Sequence, residues 1–357
     1  MTNSKDILTH FGGVQINSLK HMLFEEDDVE TNDDELDIMK HSLYYDDDNL
    51  ILKFKQNKKQ FSVLSMNIGS LNSKFDLFKI YVEYLKQNSC VFNVICLQES
   101  WLSKTSDLSL YQLDDYNLIS EGKVCSAHGG LAIYVMKDFK YTLLTHLYTV
   151  SDVWEGQFIE LSGSNINRKI IIGNIYRPPR DIEQNYRTFI NELNPIMELL
   201  NGKNCEVLLS GDYNINLLKI NEKKIFNEFL DTVISNGFIP KITFPTRFSR
   251  YRGTLIDNIY SKLTPKTMNA VAGILTHTLS DHHPYFIIMN SLIKQQEKNK
   301  FVKMRKKDNS SLLNWLSERQ ICIAKWTRTF LRTQTKIITL LIIQSNRPII
   351  NIYPPNL

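Results

Sequence analysis

The chain is poor in the features that would mark it as secreted, membrane-spanning or metal-stapled. It has five cysteines in 357 residues, Cys90, Cys96, Cys125, Cys205 and Cys322, with no CxxC pair and no metal-ligand spacing. An odd, scattered set argues against a disulfide framework and suits a reducing compartment. Cys90, Cys96 and Cys205 sit among apolar residues and read as small buried hydrophobes. No basic start leads into an apolar run at the N-terminus, so no signal peptide is expected. The longest apolar run, Ile337 to Ile343, is broken by Thr339 and is too short for a bilayer. No membrane association and no obligate protein partner is indicated, and an intracellular protein is expected. Net charge is only +4, too weak a bias to signal nucleic acid by itself.

What is present divides by charge into three parts. Glu25 to Asp37 holds nine acidic residues, and Asp46, Asp47 and Asp48 follow. Such a block repels itself and has little to bury, so residues 1–60 are expected to be a disordered acidic leader. At the other end, Lys294 to Lys307 has seven basic residues against one acidic, and no acidic residue occurs from Arg319 to Leu357. Residues 292–357 read as a basic linker and a poorly specified tail.

Between them, residues 61–291 alternate strand and helix patterns. Phe61 to Ile68, Val94 to Leu97, Leu131 to Val135, Phe158 to Leu161, Lys169 to Tyr176, Glu206 to Leu209, Leu255 to Tyr260 and Tyr285 to Met289 read as strands. Helical faces are formed by Phe78, Tyr81, Val82 and Leu85, and by Phe189, Ile190, Leu193, Met197 and Leu200. A third runs through Ile225, Phe226, Phe229, Leu230, Val233 and Ile234, closed by Asn236-Gly237 as a C-cap. This alternation predicts α/β layers around a large mixed sheet system.

Polar groups recur at the ends of these strands: Asn67, Gln98-Glu99, Asn174 and Tyr176, and Gly211-Asp212-Tyr213-Asn214. Asp257-Asn258 interrupts the strand from Leu255 to Tyr260, and Ser280-Asp281-His282 precedes the last strand. In α/β sheets functional groups gather at one end of the strands. Carboxylate and amide oxygens suit a hard divalent cation, and donors suit the charge developing on a phosphate. A histidine held by a carboxylate suits acid–base work near neutral pH. Plainer roles compete at several positions. Asp212 and Asn214 can make an Asx turn, Tyr176 can be a core aromatic, and His283 reads as a packed imidazole. Gly129-Gly130 reads as a backbone turn, and Trp101 as core or rim rather than a stacking platform.

Seven segments carry a resemblance in their order along the chain: Ser65-Met66-Asn67, Leu97-Gln98-Glu99-Ser100-Trp101, Gly129 to Tyr134, Asn174-Ile175-Tyr176-Arg177-Pro178-Pro179, Gly211-Asp212-Tyr213-Asn214, Thr254 to Asn258 and Ser280-Asp281-His282. Together they resemble the endonuclease/exonuclease/phosphatase superfamily, most of all its branch in jockey- and LINE-like non-LTR retrotransposons. The resemblance implies a four-layer, deoxyribonuclease-like α/β sandwich and a Mg²⁺-dependent endonuclease, with Mn²⁺ as a possible substitute. It implies DNA nicking to a 3′-hydroxyl, and a DNA target implies the nucleus. By motif, Glu99 would bind the metal with Asn67 beside it and Asp281 completing that end. Asp212 would orient or deprotonate the water, and Asn214 and Tyr176 would hold the phosphate. His282, paired to Asp257, would stabilise the phosphate or move a proton, with Ser280 and Thr246 in support. Arg247, Arg250 and Arg252, interleaved with Phe248 and Tyr251, and also Arg177, would touch DNA.

Two departures are visible. Gly69 stands where apurinic-site endonucleases carry a second acid, which disfavours dedicated abasic-site repair. Reverse transcriptase motifs, which follow such nucleases in retroelements, are absent, so the end of the chain reads as truncated or frame-disrupted. An inositol-phosphate or lipid phosphatase of the same superfamily is the alternative, disfavoured because Leu255 to Asn258 lacks that branch's Cys-Asp-Arg. An inactive nucleic-acid-binding remnant is the third reading, although every carried-over position is filled.

Overall fold

A computed structural model describes residues 42–56, 60–120, 128–163, 166–249, 252–265, 267, 270–290 and 292–293, all within the compact unit Met1–Gln296. Two sheets dominate. The first has the order β1 (Leu43–Tyr45), β15 (Val271–Leu275), β16 (Tyr285–Asn290), β2 (Gln60–Asn67), β3 (Val94–Gln98), β5 (Ala132–Met136), β4 (Tyr116–Ile119). The second has β11 (Ile239–Pro240), β14 (Asp257–Lys262), β10 (Glu206–Asp212), β9 (Ile170–Tyr176), β8 (Glu155–Ser162), β6 (Lys140–Leu143), with β7 (Thr149–Val150) also on β8. A separate hairpin joins β12 (Arg247–Ser249) to β13 (Arg252–Thr254). Four α-helices cover the sheets among the described residues: α1 (Asp47–Lys55), α2 (Leu71–Gln87), α3 (Glu183–Asn201) and α4 (Lys224–Ser235).

The two-residue period of a strand explains the layering. On β2, Phe61 and Val63 join a core shared with Phe158, Ile172 and Leu209 of the second sheet and with Phe189 and Phe229 of α3 and α4. Their neighbours Leu64 and Met66 point the other way, into a core with Phe78, Val82 and Leu85 of α2. Adjacent residues thus belong to opposite faces, and the result is helix–sheet–sheet–helix, the expected four-layer sandwich. The α4 stripe packs as its spacing predicts, and the helix stops at Asn236-Gly237, where φ of +75° at Gly237 needs a glycine. Cys90, Cys96 and Cys205 are buried and free. No helix among the described residues is long and apolar enough to cross a membrane.

The acidic leader needs correction over its last part. Residues 42–56 belong to the fold, whereas 1–41 lie outside the described residues. β1 extends the first sheet by parallel pairing with β15. Asp46 caps α1 by accepting from the Asn49 amide at 2.8 Å, and Asp47 and Asp48 occupy its first turn while Lys53 and Lys55 occupy its last. That polarity complements the helix dipole, so these acids begin a helix instead of prolonging a repelling block. Leu50, Ile51 and Phe54 are buried against the α2 layer, each contributing roughly 1.5–3 kcal/mol of apolar burial. At the far end Ile293 still bridges Ile166, and Leu292 is buried; the tail beyond lies outside the described residues.

Candidate active site

Three candidates fall in one row across the second sheet. Asp212 at the end of β10 stands opposite Tyr176 on β9 and opposite Asp257 on β14. Facing them from the first sheet are Asn67, which ends β2, and Glu99, which follows β3. The Asn67 amide bridges the sheets: Nδ2 donates to Glu99 Oε1 at 2.8 Å and to Asp212 Oδ2 at 2.9 Å. Tyr176 donates its hydroxyl to the same Glu99 oxygen at 3.1 Å. Asn214, with φ of 47°, donates its backbone N–H to Asp212 Oδ1 at 3.0 Å and its side-chain amide to the Arg177 carbonyl.

The histidine arrives on the loop before β16. His282 Nδ1 lies 3.0 Å from both oxygens of Asp257. Thr246 donates to Asp257 Oδ2 at 2.5 Å. Ser280 donates to the Asn67 carbonyl at 2.6 Å and accepts from the His282 backbone N–H at 3.1 Å, which ties the histidine loop to β2. His283 turns away and hydrogen-bonds the Leu275 carbonyl through Nδ1, the packed imidazole expected of it.

Burial sets the electrostatics. Asp212 is fully buried, and lost hydration together with the nearby Asp257 charge raises its carboxyl to about 7. For His282, burial favours the neutral ring, but the charge and hydrogen bond of Asp257 outweigh it and lift the imidazole to about 9. Burial and the Glu99 and Asp212 charges raise the Tyr176 phenol, so it stays a donor.

A cation has two candidate places. Asp212, Asp257 and His282 each bring a ligand atom within 4.8 Å of one another. The His282 nitrogen and the Asp257 oxygens already satisfy each other, however, and an imidazole is a poor partner for a hard ion. Glu99 offers carboxylate oxygens beside the buried Asp212, whose negative charge a cation would relieve. The Asn67 oxygen, which accepts from the Gly69 N–H at 3.1 Å, would join them once the amide turned over from its contacts with both carboxylates. This donor set fits a hard divalent cation.

Two expected roles change. Arg177 does not reach nucleic acid: it is buried, and its guanidinium donates to the carbonyls of Tyr213 (2.7 Å), Asn214 (2.7 Å) and Arg180 (3.3 Å) while lying over the Tyr186 ring. It therefore fixes the loop that carries Asn214. Asp281 stands on the rim in an ion pair with Arg247, 2.8 Å from Nε; partial burial would raise its carboxyl, but the Arg247 hydrogen bond and the His282 and Arg247 charges outweigh that and lower it. The hairpin itself lies beside the site, since Arg247 bridges His282 and Thr246 binds Asp257. Arg252 is exposed on it, and Arg250 lies outside the described residues.

Three supporting features complete the site, and of their side chains Glu155 and Lys74 carried no sequence signal. Glu155, at the start of β8, accepts from the Gly130 N–H at 2.9 Å, and a Cβ on Gly129 would fall 2.3 Å from its Oε1. That contact and φ of +86° and +84° require the Gly129-Gly130 pair. Lys74 of α2 donates to the Ile68 carbonyl at 2.6 Å and feels the charges of Asp281 and Glu99. Its ammonium would stand 3.1 Å from a Cβ on Gly69, so it crowds the space a side chain at that position would enter. Beneath the site, Gln98 donates to Asn174 at 2.6 Å and to Ser65 at 3.0 Å, a polar floor between the sheets.

A sequence profile described as the Endonuclease/Exonuclease/phosphatase family matches residues 64–282. Among solved structures, the AP endonuclease LMAP from Leishmania major superposes with a TM-score of 0.55 at 12% identity, covering 77% of this chain and 98% of that one. The endonuclease domain of TRAS1, a telomere-specific non-LTR retrotransposon, gives a TM-score of 0.50 at 13% identity, covering 65% and 99%. At these identities the likeness is one of fold.

Proposed function

The chain belongs to the endonuclease/exonuclease/phosphatase family of hydrolases, and on that premise we propose that it is a Mg²⁺-dependent endonuclease that nicks one DNA strand. The observation that carries the proposal is the row of Tyr176, Asp212 and Asp257 facing Glu99 and Asn67. Water would attack phosphorus, the bond to the 3′ oxygen would break, and that oxygen would leave as a hydroxyl. Asp212, raised toward neutrality by burial, is matched to orient the water or take its proton. His282, held in one orientation by Asp257, presents its other nitrogen to the phosphate as a charged donor. Tyr176 and Asn214 flank Asp212; the Tyr176 hydroxyl would turn from Glu99, and the second hydrogen of the Asn214 amide would be free, to meet the charge developing on the phosphate. Glu99 with Asn67 would hold the cation, whose chemistry is to polarise a phosphate oxygen and offset negative charge. Asp281 would join them only by exchanging Arg247. Mn²⁺ meets the same oxygen donors.

DNA is favoured as substrate by the arginine-bearing hairpin in contact with the catalytic pair. Incubation of the full chain with supercoiled plasmid tests the proposal. Conversion to open circles with Mg²⁺ and none in chelator is expected, with nicks that a polymerase extends directly. Release of inorganic phosphate from inositol phosphates without any nicking would refute it.

A further inference from the structure

Trp101 is exposed at the mouth, and no role in the site assigned above uses it. It is 38% exposed, whereas Trp154 is fully buried with its N–H on Glu192. Among the described residues the other exposed large aromatic is Tyr84, which stacks on Tyr81 away from the site. The Trp101 indole N–H points at Glu99 Oε2 from 3.4 Å, and the His128 ring braces the indole perpendicularly at 5.2 Å.

The backbone that presents it is strained and clamped. Glu99 and Trp101 have φ of 48° and 58°, a region that side-chain-bearing residues seldom enter. Hydrogen bonds hold the turn from both sides. Ser100 and Trp101 donate to the carbonyls of Gly130 and Gly129, and the Ser70 and Leu71 amides donate to those of Glu99 and Ser100. Strain kept in place by its surroundings marks a functional position. Here it turns a large π-surface outward beside the carboxylate assigned to the metal.

We propose that Trp101, braced by His128, is a stacking platform for a nucleobase next to the scissile phosphate. The platform rests on the nuclease reading. An indole suits any base through its π-face and binds without sequence preference. It therefore adds affinity near the cut, while the hairpin addresses the flanking duplex.

The test uses the full chain and short duplexes in which one baseless spacer is moved across the nucleotides on either side of the nick. Trp101→Ala should raise KM about tenfold, with the loss falling on KM rather than kcat. One spacer position should cost the wild type a similar factor and cost Trp101→Ala nothing more. Trp101→Phe should recover most of the affinity, because the ring is kept and the N–H is not. If the wild type nicks DNA but Trp101→Ala loses kcat equally with and without the base, the indole serves only Glu99 and the platform is wrong. An unchanged KM in Trp101→Ala also overturns it. Both results leave the nuclease reading standing, and a wild type that nicks nothing overturns both.

Discussion

Asp257→Asn should disable the histidine while keeping the shape of its partner. His282 is 4% exposed, and burial alone would hold its imidazole below the ordinary value. The Asp257 carboxylate at 3.0 Å reverses that and lifts it to about 9. Against an ordinary 6.5, the rise corresponds to about 3 kcal/mol in favour of the charged ring, at about 1.4 kcal/mol per decade. With the Asp257 charge removed and the burial retained, only the Asp212 charge is left to offset burial, and His282 should titrate well below about 9. The sign for stability follows. A folded-state value above the unfolded one stabilises fully below about 6.5, and that contribution is lost as pH rises through about 9. The metal-free wild type should therefore lose stability between those limits, and Asp257→Asn should lose less. The assay is the imidazole carbon-bound proton shift against pH, with thermal unfolding in parallel and single-turnover nicking at pH 7.5. Nicking should fall by about 100-fold or more, and His282→Ala should be at least as damaging as Asp257→Ala. A His282 that still titrates near 9 in Asp257→Asn, or nicking within a few-fold of wild type, would refute the pairing.

Leu50→Ala, at a fully buried position of α1, should cost about 2–5 kcal/mol, and removal of residues 1–59 should lower the urea midpoint further. Unchanged midpoints would detach α1 from the fold. Arg252→Ala should reduce the salt dependence of DNA binding by about one unit of log–log slope, and replacing residues 250–253 by Gly and Ser should redistribute the nick sites. An unaltered slope and nick map would leave the hairpin without a role in reading DNA. Arg177→Met should destabilise the protein by leaving buried carbonyls unpaired, at about 1–3 kcal/mol each. It should weaken nicking with no change in salt slope; a lowered slope with full stability would restore Arg177 to the DNA surface.

Much of the site was legible because strand ends are local signals. Asn67, Tyr176 and Asp212 each close an apolar strand, so their common placement follows once the strands are assigned, whereas Asp257 reads as interrupting a strand from Leu255 that in the structure begins at Asp257 itself. Their register depends on pairing between distant segments, which no local pattern encodes. The burial of Arg177 shows the limit, because an arginine after a strand-end tyrosine reads alike whether it meets phosphate or its own loop. Asp281 meets Arg247, 34 residues away, a pairing that only the hairpin's position creates. The α1 segment was masked by its surroundings. Leu50, Ile51 and Phe54 have helical spacing, but the acidic run before them dominates the composition.

Single-turnover strand cleavage by Glu99→Gln and Asp212→Asn, each shown to be folded, is the most direct measurement of the central claim. Both side chains are joined through one Asn67 amide, and both substitutions keep size while removing charge. The account predicts a fall of about 1,000-fold or more for each in saturating Mg²⁺, with DNA binding retained. Cleavage by either variant at a rate near wild type would contradict it.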